Sequence, residues 1–382
     1  MKMATKHQIF EEKREEYRNG SKEEKGKILD AVTAITEVHR KAAVRRFGNL
    51  QKAKKSPKRR GRRLVYGHGI TAMIRELWNM SGRICAERLE GMIAEYVRIL
   101  KRDGMWKHTE TDTALLLKMS LGTLKNRIAT FENVKKRAAR GTTKPSHLKE
   151  IIPVRRGPWK NPDPGFGEVD SVAHCGGTLS GDYAYTVQYT DVDTIWTCLS
   201  GQWNKGEIET QKSILRIRDH LPFRLLGIDP DSGSEFINWH LKGWCDEENI
   251  AMTRTRPYMK NDHARIEQKN YTNIRHIVGY SRFDNPAIVP LLNDLYDSLE
   301  DHINFFVPSM KCLEKIKTDS KSKRVYEKVP LTAYQRVLAH PKISPEIKEQ
   351  LQQKYSTLNP MILKQKIDIS LAKLSKISTR LR

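Results

Sequence analysis

Three carboxylates stand at positions where a charge needs a chemical reason. Asp170 falls in the middle of GEVDSVAHC (167–175), a stretch that reads as a strand, and a strand interior keeps a carboxylate only where it faces a working surface. Asp231 follows a short apolar run, in DPDSGSEF, and Glu267 lies in the second turn of a helix, in HARIEQKN. Brought together, three acidic groups repel unless a cation sits between them. Oxygen-only ligands select a hard cation, so Mg2+ or Mn2+ is expected rather than zinc. Asp229 competes with Asp231 for the second position, and Glu168 and His174 share the strand face of Asp170.

The elements that would carry these residues are legible in the same segment. Residues 167–175, 182–192 and 194–203 are rich in Val, Thr, Tyr and Trp, with Gly-Gly and Ser-Gly pairs between the first two, and predict three consecutive antiparallel strands. Residues 205–220 predict an amphipathic helix, 223–229 a short strand and 234–248 a helix. A strand at 251–256, closed by Pro257, and a helix at 262–278, ended by Gly279, complete the series. The order βββαβαβα describes an α/β mixed sheet with helices on its faces. In that topology the first strand, the end of the fourth and the last helix converge at the edge of the central strands. Trp196, Trp203, Trp239 and Trp244 are expected in the core.

Charge divides the chain into three. Residues 1–160 carry 39 Lys and Arg against 17 Asp and Glu, a balance of +22. Residues 161–310 carry 13 against 22, or −9, and residues 311–382 carry 17 against 6, or +11. Basic flanks attract a polyanion by releasing its counterions, and an acidic centre between them suits bound metal. In the first flank Ile28, Leu29, Val32 and Ile35 share a helix face. After a break near residues 36–37, a second helix would bury Val38, Ala42 and Phe47 and expose Arg40, Lys41, Arg45 and Arg46, a helix-turn-helix pattern for DNA. A second such unit has its first helix at 114–119; Ser120 then caps a helix that buries Leu121, Leu124 and Ile128 and turns Lys125 and Arg127 outward. Basic linkers follow each unit, at 52–63 and 135–160. Past residue 310, two short strands joined by a polar turn precede helices in a basic tail. The expected organisation is a helix-turn-helix and linker (1–63), a second helical DNA-binding region and linker (64–160), a catalytic core (161–310) and a basic C-terminal domain (311–382).

The motifs around the carboxylates resemble those of the DDE transposases and retroviral-type integrases with an RNase H-like core, above all bacterial insertion-sequence transposases. GEVDSVAH is similar to that family's first-strand motif, DSGSEF to its D-N-G-S-E-F element with Ser232 in place of Asn, and KNDHARIEQKN to its third-carboxylate helix. The 35 residues between Asp231 and Glu267 are similar to the family's gap, and the likeness covers about 160–310. It implies an RNase H-like five-stranded core with Asp170, Asp231 and Glu267 as catalytic residues. Two divalent ions about 4 Å apart would be bridged by Asp170, with Asp231 completing one site and Glu267 the other. Hydrolysis would expose an element's 3′ end, and that end would attack target DNA, with no covalent protein–DNA intermediate and no nucleotide cofactor.

The resemblance also names partners: double-stranded DNA, as element ends and as target, and further copies of the chain in a synaptic complex. Lys260, Arg265 and Lys269, around Glu267, become candidates for phosphate contacts, as do Arg254 and Arg256. The alternatives are a transposase reduced to a DNA-binding regulator and an RNase H-like nuclease without strand transfer. The presence of all three carboxylates argues against the first, and the two basic arms argue against the second. No run approaches the ~18 apolar residues of a membrane span, and the N-terminus lacks the apolar core of a secretory signal. Five cysteines, an odd number with no CxxC pair, argue against a disulfide framework and a cysteine-based zinc site. The expected location is the bacterial cytoplasm, at the nucleoid.

Overall fold

The computed structural model describes residues 3–51, 65–131, 152, 163–230, 235–254, 266, 269–318 and 321–377, and the chain divides into two units, Met1–Val65 and Tyr66–Arg382. The first unit packs α1 (Met3–Glu12), α2 (Arg14–Asn19), α3 (Lys22–Thr36) and α4 (Arg40–Gln51) around Phe10, Leu29, Val32, Ala43 and Phe47. Ser21 and Glu24 form a reciprocal capping box that starts α3. Glu37, left-handed at φ 55°, ends it at the expected break. The phase of the second helix differs from expectation. Because α4 begins at Arg40, its buried pair is Ala43 and Phe47, one turn apart, while Ala42 is exposed. Ile35 is also exposed, since Thr36, its hydroxyl bonded to Val32 O at 2.6 Å, takes the inward position.

In the second unit α5 (His68–Met80), α6 (Ala86–Arg102), α7 (Glu110–Leu117) and α8 (Leu121–Ala129) share one apolar core. Ser120 caps α8, and Leu124 and Ile128 are buried, as the spacing predicts. This helical region is bonded to the C-terminal part of the chain. Tyr96 Oη donates to Phe306 O at 2.5 Å, and the Arg102 guanidinium donates to Ser356 O and Leu358 O.

A five-stranded sheet forms the centre, built from β1 (Phe166–Ala173), β2 (Ala184–Asp191), β3 (Thr197–Trp203), β4 (Gly227–Pro230) and β5 (Ala251–Met252), in the order β3-β2-β1-β4-β5. β1 to β3 are antiparallel in turn, and β4 and β5 run parallel to β1. This is the mixed five-stranded sheet, flanked by helices, expected from the sequence. One face buries Val169, Val187, Tyr189 and Cys198 with α9 (Glu207–His220) and α10 (Trp239–Glu247). The other buries Val172, Ala184 and Leu199 with π1 (Asn270–Arg275), the single turn α11 (His276–Val278) and α12 (Ile288–Asp301).

β3 is an outer strand, and its outward amides are met by side chains rather than by another strand. Gly201 N donates to Asn293 Oδ1 (2.8 Å), Leu199 N to Glu300 Oε1 (2.6 Å) and Thr197 N to Asn304 Oδ1 (2.8 Å). Asn304 Nδ2 also donates to Thr197 O at 2.7 Å, so one amide copies both bonds of a strand partner. Beyond π2 (His302–Phe306), β6 (Cys312–Thr318) and β7 (Lys321–Tyr326) form the expected hairpin. α13 (Ala333–Ala339), α14 (Pro345–Thr357) and α15 (Pro360–Ile377) follow, and Ile367 and Leu374 of α15 pack against α12. No helix among the described residues is long and apolar enough to cross a membrane.

Candidate active site

Asp170 is the fifth residue of β1 and stands half-buried between buried Val169 and Val172. Both of its oxygens are held: Oδ1 accepts from Ser171 N at 2.7 Å and Oδ2 from Asn270 Nδ2 at 2.6 Å. Asn270 opens π1, so this bond lays the helix directly against the strand. A second bond, Asn273 Nδ2 to Gln188 Oε1 at 3.3 Å, repeats the contact one strand over. The π-turn widens the helix locally, a deviation often found at functional sites. β1 needs glycine at position 167, because a Cβ there would meet the Tyr189 ring at 2.2 Å.

Asp231 and Glu267 lie outside the described residues. Their neighbours in sequence are described. Pro230 ends β4 in register with Val169, and Ile266 is fully buried. Past Asp231, Glu235 is almost entirely buried and accepts from Ser171 Oγ (2.8 Å) and Lys205 Nζ (2.7 Å). Asn238 donates to Glu235 O at 2.8 Å and caps α10 through Leu241 N. This network joins β1, the turn after β3 and the start of α10. The rival Asp229 is fully buried in β4, opposite Glu168, and accepts from Thr253 Oγ1 at 2.6 Å.

Among the described residues, no group of three or more His, Cys, Asp or Glu is placed to hold a metal ion. The groups shown against the Asp170 carboxylate are N–H donors, Ser171 N and Asn270 Nδ2. The carboxylate itself and Asn270 Oδ1, which is buried with no hydrogen-bond partner among the described residues, are oxygen donors of the kind a hard cation takes. His174 is turned away from this role: it is fully buried, its Nε2 lies 2.7 Å from Thr186 Oγ1, and burial lowers its pKa to about 3.

The cations singled out from the sequence have varied surroundings. Arg40 pairs with Asp30, Lys41 and Arg45 are exposed, and Arg46 lies 4.9 Å over the Phe10 ring. Lys125 pairs with Glu87 at 2.7 Å. Arg127 is half-buried, with its guanidinium on Thr71 Oγ1 (2.8 Å) and Tyr66 O (2.9 Å), so it ties α8 to the start of α5. Lys260, Arg265 and Arg256 lie outside the described residues, and Arg254 is buried with Nε on Ile152 O at 3.1 Å. Lys269 sits on the site helix, its pKa pressed to about 7 by burial and then by Arg88 and Arg336. Trp196 is in the core and Trp203 and Trp244 are partly buried against it, but Trp239 is 62% exposed, against expectation. Sequence reading missed Asn270, Ser171, Glu235 and Lys205; only the GSEF tail of the second motif pointed toward one of them.

No protein-family model matches the chain. It is 32% identical over 332 residues to the uncharacterized protein y4rM of Sinorhizobium fredii, covering 86% of this chain and 94% of that protein. Among solved structures it is similar to the simian T-cell lymphotropic virus intasome in complex with PP2A regulatory subunit B56 gamma, at 13% identity and a TM-score of 0.33 over 65% of this chain and 76% of that one. It is also similar to the magnesium-bound, trimeric HTLV-2 integrase catalytic core, at 14% identity and a TM-score of 0.28 over 38% of this chain and 89% of that one. Scores of that size carry no inference about activity.

Proposed function

The chain belongs to the family of Sinorhizobium fredii y4rM, a name that carries no activity, so we propose one from the site: a DNA transposase of the integrase-core type that cuts and joins strands at Asp170, Asp231 and Glu267. The bond from Asn270 to Asp170 carries this reading. Glu267 precedes Asn270 by three residues, so the covalent chain keeps their Cα atoms within about 11 Å. Asp231 directly follows Pro230, the β4 partner of Val169. Both carboxylates are therefore tethered by sequence to residues beside Asp170.

The three carboxylates would hold one or two Mg2+ or Mn2+ ions. When bound, such ions supply Lewis acidity to the phosphate oxygens of an in-line displacement. The protein's own share is positioning. Ser171 N and Asn270 Nδ2 fix both oxygens of Asp170, and Glu235 anchors the chain four residues after Asp231 to β1 and Lys205. The α3–α4 and α7–α8 pairs serve as helix-turn-helix modules for the element's ends, and the basic flanks hold phosphates. Two ends handled together call for more than one copy of the chain.

The test is a strand-transfer reaction with duplex DNA carrying the element's terminal repeats. With Mg2+ the chain is expected to cut 3′ ends and join them to a target, and EDTA to stop both. Cutting without joining would leave a nuclease, and binding alone a regulator; either sinks the transposase reading. Asn270→Ala is expected to lower cutting by about 10- to 100-fold, the usual cost of losing a group that orients a metal ligand. Unchanged cutting in that variant would remove Asn270 from the site.

A further inference from the structure

Helix α4 carries four cations, Arg40, Lys41, Arg45 and Arg46, and no carboxylate. The structure divides them into two pairs. Arg40 is paired with Asp30, and the Arg46 guanidinium lies 4.9 Å over the Phe10 ring, so both brace α4 against its own unit. Lys41 and Arg45 are exposed and make no ion pair or side-chain hydrogen bond among the described residues. Each stands two positions from buried Ala43, about 160° around the helix from it. The two therefore share the outward face, one turn apart.

Two neighbours of this pair have no part in the packing. Val44 is 44% exposed, while the apolar core of the unit takes Ala43 and Phe47 from the same helix. At Gly48 a Cβ would stand in open space, with nothing within 4 Å among the described residues. A glycine inside a helix costs stability against alanine, and its use is to let another molecule approach the backbone closely. The helix is reached from α3 through a three-residue turn, 37–39, that begins at the left-handed Glu37. In a helix-turn-helix of this form the second helix enters the major groove of DNA.

Charge indicates what meets the outward face. The same face of a second copy would be repelled by it, cation against cation. Residues 52–63, which follow α4 directly, add eight Lys and Arg and no Asp or Glu. The occupant that suits both is a long polyanion, as duplex DNA is. In α8, the other candidate, the two cations are already engaged: Lys125 pairs with Glu87, and Arg127 is bonded to Thr71 and Tyr66. We propose that α4 is the helix that reads base sequence. Arg45 donates to O6 and N7 of a guanine, Val44 lies against the methyl of a neighbouring thymine, and Lys41 holds a phosphate, with Gly48 giving the groove wall room. This rests on the helix-turn-helix part of the transposase reading.

The test is selection from a random-sequence duplex pool by the full chain in EDTA, followed by sequencing and by titration of the selected duplex. Wild type is expected to enrich a motif in which a guanine and a thymine lie side by side. Arg45→Ala should lower the preference for that guanine by about 5- to 150-fold, the range for one bidentate base contact. Arg45→Gln should move the preference at that position from guanine to adenine, a change of readout that misfolding cannot produce. Lys41→Ala should weaken binding to all sequences alike and reduce the slope of log K against log salt by about 1. A motif that keeps its guanine in both Arg45 variants overturns the proposal. So does a wild-type pool without any motif and an unchanged affinity in Lys41→Ala, which would leave the face to an acidic protein partner. Because selection needs no metal and no cutting, a chain that selects its motif but fails in strand transfer would sink the transposase reading alone.

Discussion

Asp170→Asn is expected to lower strand cutting by at least about three orders of magnitude, about 4 kcal/mol of barrier, while DNA affinity stays within about twofold. The substitution preserves shape and keeps an oxygen for Ser171 N, but it removes the charge that would hold a cation. It also places an amide opposite the Asn270 amide, where a carboxylate oxygen now accepts. The same loss is expected of Asp231→Asn and Glu267→Gln. Cutting is read on labelled element ends with Mg2+, and binding by mobility shift in EDTA. Activity retained by any of the three would show that the wrong carboxylates were chosen. Thermal melting without metal is expected to stay level or rise for Asp170→Asn, because Glu168 and Asp229 share its face of the sheet and one negative charge is gone.

His302→Met is expected to gain about 3 kcal/mol of stability over wild type between pH 7 and pH 4. His302 is buried in π2, and burial lowers its pKa from 6.5 to about 4. Below pH 6.5 the unfolded chain takes up a proton that the folded chain refuses. Stability therefore falls by about 1.4 kcal/mol per pH unit until the folded pKa is reached. Methionine carries no such proton. His174 acts with the same sign, and Asp191, raised to about 6 by burial, acts with the opposite sign. Both are present in wild type and variant, so they cancel in the difference. Urea unfolding at stepped pH measures it, and a difference that does not change with pH would refute the assignment.

The strands were legible because Val, Thr and Tyr alternate with turn residues, and α9, α10 and the C-terminal helices because their apolar spacing is regular. What was lost depends on phase or on distance in sequence. Ala42 and Ala43 are interchangeable by type; only the left-handed Glu37 and the restart at Arg40 decide which one turns inward. Trp239 was assigned to the core by residue type, although its offset from Leu241 and Cys245 already set it off the buried face. Lys125 and Arg127 do lie off the face of Leu124 and Ile128, but nothing local shows that Arg127 is bonded to residues 56 and 61 positions away. Asn270 carries no signal until Asp170 is known to lie opposite it. The π-turns at Asn270–Arg275 and His302–Phe306 break the regular helical period on which such readings depend.

The closure of β3 has a consequence for how copies of this chain can associate. An outer strand with open amides offers a template along which a neighbour's backbone can extend the ladder. Asn293, Glu300 and Asn304 already occupy those amides, so no neighbour can zip onto β3 without first displacing a helix. A second copy meeting the chain on that side would have to do so through side chains, a joint that parts without unravelling a sheet.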